Sequence, residues 1–234
     1  MVSYDLIQKT GSNINLIYCP DALFSWFDFY ASELNKLENL LLNYQYCCVF
    51  DGITENIIDF TKRYILMSGN SYAGKSPGKV ERSFTILASR LREMSQLYGL
   101  QFYLIECCKR DNILRQISKR LKIPFIPVET NIRLAGYILG KAECFISGRY
   151  HPSIMASLGG TPCVFMGSNS HKMNSLQQVL GIPEDEQITF NALRDSDETE
   201  MIVRETEKCL RKSRDEIKMI CEKNSHFVSN APFL

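Results

Sequence analysis

From Arg63 onward the sequence predicts an α/β domain: a mostly parallel sheet flanked by helices. Three observations carry this. Short apolar runs alternate with longer amphipathic stretches, the pattern of parallel strands joined by crossover helices. Each apolar run breaks into small or polar residues, as a strand does where it meets a loop. The composition is that of an ordinary globular chain, with 45% apolar, 11% aromatic and 23% charged residues among 234. This excludes disorder, collagen-like repeats and coiled coil, and the length suffices to bury a sizeable core.

The opening of the chain is less regular. Asn15–Cys19 reads as a short strand ending at Pro20-Asp21, and leucines at 34, 37, 40, 41 and 42 suit a helix from Ser32 to Tyr44. Cys47-Cys48-Val49-Phe50 is a second short run, closed by the turn pair Asp51-Gly52. Residues 1–62 are too few for a domain of this kind and read as the remnant of a preceding α/β domain, leaving 63–234 as the main unit.

Within that unit, Tyr64–Met67 is the first strand, broken at Ser68-Gly69-Asn70 and followed by an amphipathic helix from Val80 to Tyr98. Phe102–Cys107 is the second strand, with a basic helix over Asp111–Leu121 after it. Pro124–Val128 is the third, and Thr130 caps a helix to about Leu139. Glu143–Ser147 and Pro162–Met166 complete the strands. Helices follow them from Pro152 to Leu158 and from Lys172 to Leu180, and one long helix closes the chain over Asp197–Lys223. Ligands of such sheets bind beyond the carboxyl ends of the strands. The loops 68–79, 107–111, 128–131, 147–152 and 167–172 are therefore the place to look for chemistry.

Charge and cysteine usage narrow the function. The 27 basic and 26 acidic residues leave a net charge of +1, which supplies no field for gathering nucleic acid. No apolar run approaches a membrane span and no signal peptide opens the chain. Nine cysteines without a C-x-x-C spacing argue against structural zinc and against a secreted disulfide framework, so a reduced, cytoplasmic protein is expected. Cys47-Cys48 and Cys107-Cys108 read as strand cysteines packed as small hydrophobes.

The densest cluster of reactive residues is Ser147-Gly148-Arg149-Tyr150-His151-Pro152. A buried strand delivers it into a turn, and Pro152 suits the first position of the helix that follows. The helix start offers free N–H groups to an anion, Arg149 adds a planar fork for phosphate or carboxylate, and His151 adds a proton donor. The same spacing also suits a structural role, with Arg149 paired to a carboxylate and His151 capping the helix. Lys172 stands at the next such helix start as a further cation. Gly69-Asn-Ser-Tyr-Ala-Gly74-Lys75-Ser76 fits the phosphate-loop pattern, but Pro77-Gly78 blocks the helix that loop requires at Lys75, and Glu106 is the nearest candidate for a magnesium-binding acid. The match reads as coincidence.

Taken together, Ser147-Gly148-Arg149-Tyr150-His151, a helix, Gly160-Thr161-Pro162, a strand, Lys172 and Leu180-Gly181-Ile182 resemble the polysaccharide pyruvyl transferase family. The family has Gly or Ser, then Arg-Leu-His, a short helix, Gly-x-Pro, and a lysine before a helix. Tyr150 stands here for the leucine, and Cys19-Pro20-Asp21-Ala22-Leu23-Phe24 resembles the family's Asp-Pro-Ala-Phe segment with one residue inserted. The resemblance implies a Rossmann-like sheet equivalent to the C-terminal domain of a GT-B-type fold, with a truncated N-terminal part. It also implies a transferase that moves pyruvate from phosphoenolpyruvate, its donor substrate, onto two hydroxyls of a saccharide acceptor as a ketal, with no metal or other cofactor. On that template His151 is the general acid or the phosphate partner, Arg149 neutralises the donor, Lys172 takes a second anion position, and Ser68, Asn70, Ser147 and Gly148 line the crevice. Family members are generally longer and carry an arginine where this chain has Ser68-Gly69-Asn70, with Lys75 the nearest basic residue. A protein partner or a second copy is then expected to complete the cleft. Two rival readings follow from the same layout: a GT-B glycosyltransferase using a sugar nucleotide, with Glu129 gripping a ribose, or a truncated, non-catalytic relative.

Overall fold

A computed structural model describes residues 7–9, 19–41, 46–47, 57–59, 62–71, 77–168, 170–191 and 196–231. Its centre is a five-stranded, fully parallel sheet of β1 (Tyr64–Met67), β2 (Gln101–Ile105), β3 (Phe125–Ile126), β4 (Cys144–Ser147) and β5 (Cys163–Phe165). The spatial order is β3-β2-β1-β4-β5, so the direction of winding reverses between β1 and β4.

Every residue of β1 is buried, because helices cover both faces of the sheet. The alternation of the strand still sorts its side chains. Ile65 and Met67 enter one core with Val80, Phe84, Leu87 and Leu91 of α2 (Pro77–Leu97), Leu114 and Ile117 of α3 (Ile113–Leu121) and Ile202 of α7 (Ser196–Cys209). Tyr64 and Leu66 face the other core. There they join Ile138 of α4 (Ile132–Lys141), Ile154 of α5 (Tyr150–Leu158), Leu176 of α6 (Lys172–Val179) and Val228 of α8 (Arg214–Ser229). Phe24 and Tyr30, from the opening segment, are buried in this second core. Gly99, at φ +65, makes the turn from α2 into β2, a conformation that other residues adopt only at a cost.

Several boundaries differ from the sequence expectation, each for a local reason. The first long helix, α1, spans Trp26–Leu41 rather than 32–44. A 3-10 turn over Ala22–Ser25 leads into it, and the Asp21 carboxylate caps that turn by accepting the Leu23 N–H at 2.9 Å. Asn131, not Thr130, caps α4, its side chain accepting the Arg133 N–H at 3.0 Å. Pro152 is the third residue of α5, inside the first turn where a missing N–H is still harmless. The expected long terminal helix is two helices. Ser213 starts α8 by accepting the Glu216 N–H, and Ser213-Arg-Asp-Glu216 is a capping-box sequence that ends α7 before it. β2 stops at Ile105, so Cys107 and Cys108 lie in the strand-end loop and not in the strand.

The expected strand over 15–19 falls mostly outside the described residues, as do Cys48–Gly52 and Lys75. Tyr46–Cys47 pairs antiparallel with Ile57–Ile58 in a separate two-stranded ladder. Beyond β5, Met166 bridges Phe190 in parallel, and the Phe190 N–H donates to Phe165 at 2.8 Å, which extends that edge of the sheet.

Candidate active-site crevice

The reversal of strand order puts the ends of β1 and β4 side by side, and four of the expected site residues meet there. Strand pairing continues past both ends: Ser68 N–H donates to Ile146 O at 2.9 Å, and Gly148 N–H to Gly69 O at 3.1 Å. The Ser68 hydroxyl donates to Ser147 Oγ at 2.7 Å, and the same oxygen accepts the Arg149 N–H at 2.9 Å. Asn70 packs flat on Gly148, where a Cβ would lie 2.4 Å from Asn70 Cβ and 2.9 Å from its Cα. Ser68, Asn70 and Ser147 are fully buried, so they build the floor of the crevice.

Arg149 is held from the other side. Asp111, buried at the end of the loop leaving β2, accepts Arg149 Nε at 3.1 Å and Nη2 at 2.5 Å through Oδ1, while its Oδ2 accepts the Cys107 N–H at 3.1 Å. The pair forms directly over Gly69, where a Cβ would lie 2.0 Å from Asp111 Oδ1. Burial raises the Asp111 carboxyl above its ordinary value, against the opposing pull of Arg149 and of backbone donors. Burial works to lower the Arg149 guanidinium, but the hydrogen-bonded Asp111 outweighs it and leaves it raised. An ion pair with this much hydrogen bonding stays charged at neutral pH. The Cys107 thiol beside it is pushed well up by burial and by Asp111, so it is no nucleophilic thiolate.

His151 and Lys172 form the exposed rim. His151, second residue of α5, is 61% exposed, and its Nε2 lies 3.5 Å from Asp21 Oδ2. The Lys172 ammonium stands 5.6 Å from the centre of the Tyr150 ring, and that ring meets His151 edge-on at 5.2 Å. Tyr150 thus sits between the two groups. The structure therefore assembles a buried floor of Ser68, Asn70, Ser147 and Gly148, a wall made by Arg149 with Asp111, and a rim of His151, Tyr150 and Lys172.

Sequence reading missed Asp111, Gly69, Tyr150 and Asp21 as members of this site. Asp111 lay within a loop already singled out, and its place beside two cysteines at a strand end was the available signal. Glu106 and Glu129 serve elsewhere. Buried Glu106 accepts Arg115 Nε at 2.9 Å and the Val128 N–H at 3.2 Å, and Glu129 accepts the same guanidinium at 2.9 Å. Among the described residues no group of three or more His, Cys, Asp or Glu is placed to hold a metal ion, and no helix is long and apolar enough to cross a membrane.

Two cavities of about 440 and 430 Å3 lie away from the crevice, the first beside the edge strand β5 from Thr161 to Phe165 and the second at the opposite end of the sheet, by Gly140 and Glu143 before β4. Neither reaches the crevice, yet the crevice is the place where the winding reversal leaves strand-end loops free to meet a ligand.

Residues 2–170 match the family model for polysaccharide pyruvyl transferases. The chain belongs to the polysaccharide pyruvyl transferase family. The matched region takes in all five strands and the loops that leave them, up to Ser170. No curated protein sequence matches this pyruvyl transferase family member. Among solved structures it is similar to the UDP-GlcNAc 2-epimerase of Methanocaldococcus jannaschii in complex with UDP-GlcNAc and UDP. That likeness has a TM-score of 0.60 at 13% identity and covers 96% of this chain and 59% of the epimerase. An α,α-trehalose-phosphate synthase (UDP-forming) from Burkholderia vietnamiensis aligns at a TM-score of 0.46 and 14% identity, over 92% of this chain and 45% of that one. The likeness to the epimerase shows the fold, a Rossmann-like sheet of the GT-B type, and the chain spans 59% of that structure's length.

Proposed function

We propose that the chain carries the donor half of a pyruvyl transferase that moves pyruvate from phosphoenolpyruvate to hydroxyls of a cell-surface polysaccharide or its precursor. The observation that carries the reading is the family match over 2–170, which contains the floor and wall of the switch-point crevice and all of its rim but Lys172, with Ser147-Gly148-Arg149-Tyr150-His151 in it.

The chemistry assigns each group a task. Protonation of the donor's methylene carbon makes C2 electrophilic. One acceptor hydroxyl then adds to C2 and gives up its proton, and a second displaces phosphate, so that two C–O bonds form and the C2–O bond to phosphate breaks. His151, exposed on the rim, supplies the proton to the methylene carbon. Arg149, fixed by Asp111 through Nε and Nη2, turns its remaining Nη1 toward the donor carboxylate. Lys172 and the N–H groups at the start of α5 take the phosphate, whose departure they ease by holding its charge. Ser68, Asn70, Ser147 and Gly148 hold these loops in register. A saccharide acceptor enters from the open side, and a partner protein or second copy supplies the facing wall.

Calorimetric titration of phosphoenolpyruvate tests this reading. Saturable binding that is lost in the Arg149→Ala, His151→Ala double variant is the expected result. Binding unchanged in that variant, or binding of a sugar nucleotide in place of phosphoenolpyruvate, would overturn it.

A further inference from the structure

The cavity of about 430 Å3 at the far end of the sheet is not accounted for by the transfer reaction. It is walled by Phe27, Tyr30 and Ala31 of α1, by the ends of α4 and α5 at Gly140 and Gly159, and by Arg214 and Lys218 of α8. Its size suits a small molecule.

Two of its side chains are in unusual states. The Tyr30 hydroxyl is buried, with 5% of the residue exposed, and it approaches the Gly140 backbone without making a hydrogen bond of ordinary geometry. An unsatisfied buried hydroxyl is costly, and phenylalanine would avoid that cost. Arg214, partly buried, is the other. Its guanidinium donates to the carbonyls of Ala142, Gly140 and Gly159, so its hydrogen bonds are to neutral groups. Arg63, Arg90, Arg115 and Arg149 each bond a carboxylate and are raised above the ordinary arginine value, whereas burial lowers Arg214. A partly buried cation that bonds no carboxylate among the described residues is a feature that a bound anion relieves.

The rest of the lining agrees. Lys141 and Lys218 add two cations, Lys218 standing 3.8 Å from the exposed Asp215, and the single lining carboxylate among the described residues, Glu143, is engaged by Arg63 at 3.0 Å. Phe27, Leu158 and the Tyr30 ring supply an apolar wall. We propose that this cavity is a second binding site, distinct from the donor crevice, for a small organic anion with a phosphate or carboxylate toward Arg214 and Lys218 and a flat apolar body against Phe27 and Tyr30. The length of β4 separates it from Arg149, roughly 13 Å for four residues of strand.

Phenyl phosphate is a suitable probe, followed by ligand-detected phosphorus NMR and by the fluorescence of Trp26, the only tryptophan of the chain, which lies one turn before Tyr30 on α1. Saturable binding to the full chain is expected, tighter than that of inorganic phosphate. Lys218→Glu should weaken it by about tenfold, the loss of one charge-assisted contact. Lys172→Ala, in the crevice, should leave it unchanged. Because the Lys218 side chain is half-exposed, Lys218→Glu should also leave the ligand-free melting temperature unchanged, which separates a lost ligand contact from a damaged fold. The proposal is overturned if phenyl phosphate does not saturate, if it binds no better than inorganic phosphate, or if Lys172→Ala abolishes binding while Lys218→Glu does not.

Discussion

Asp111 and Arg149, 38 residues apart, meet over Gly69, with Oδ1 taking both Nε and Nη2 of the guanidinium. This contact ties the loop after β2 to the loop after β4 across the end of β1. The position of the arginine therefore depends on a residue that has no side chain.

Gly69→Ala is expected to push the Asp111 carboxylate off Arg149, because the added Cβ would fall 2.0 Å from Oδ1. Breaking a buried ion pair typically costs about 3–5 kcal/mol. Chemical denaturation should show a loss in that range, and calorimetry should show phosphoenolpyruvate binding weakened by about tenfold or more. A variant as stable and as competent as the parent would mean that the loops shift freely.

The Asp111 carboxyl has an unusual dependence on pH. Its folded-state value is raised above 3.8 by burial, so the folded chain holds this proton at a pH where the unfolded chain has released it. The stability this group contributes is therefore present at low pH and falls as pH rises through the window just above the ordinary carboxylate range. Unfolding free energies of the parent and of Asp111→Asn, measured across that window, should diverge in the parent's favour on acidification. The opposite slope would show that the pairing with Arg149 outweighs burial.

Arg214 closes the carboxyl ends of two helices, bonding Gly140 and Ala142 at the end of α4 and Gly159 at the end of α5. Removing it leaves those carbonyls without a donor and a helix-end dipole without its cation. Arg214→Ala should lower stability by about 2–4 kcal/mol, read as a fall in melting temperature. Arg214→Lys should recover only part, since an ammonium cannot span the same carbonyls.

Ser213→Ala removes the cap that separates α7 from α8. The expected loss is about 1 kcal/mol, with Ser213→Asp restoring most of it. No effect in thermal unfolding would mean that the helix break is held by tertiary packing alone.

Lys172→Ala should weaken phosphoenolpyruvate binding while changing stability by less than about 0.5 kcal/mol, because its ammonium is exposed above the Tyr150 ring. Equal affinity in calorimetry would remove Lys172 from the anion site.

Much of this architecture is local and therefore legible. Tyr64–Met67, Phe125–Ile126 and Cys144–Ser147 fall inside runs that read as strands from their apolar character, and Val80, Phe84, Leu87 and Leu91 recur at helical spacing. The Ser-Gly-Arg-Tyr-His turn also stood out, because a strand delivering polar residues to a helix start is a pattern within a few positions of the chain. The break at Ser213 was equally local, written in a capping box that the surrounding charged periodicity obscured.

By itself, then, the sequence determined the alternation of strands and helices, the loops that carry chemistry and the residue types within them. The tertiary structure alone decided which loops touch. Periodicity records whether a residue is buried, a property of its own neighbourhood. The winding order β3-β2-β1-β4-β5 sets which strand ends are neighbours, and with it the meeting of Asp111 with Arg149 over Gly69, of Ser68 with Ser147, and of Lys172 and His151 with Tyr150.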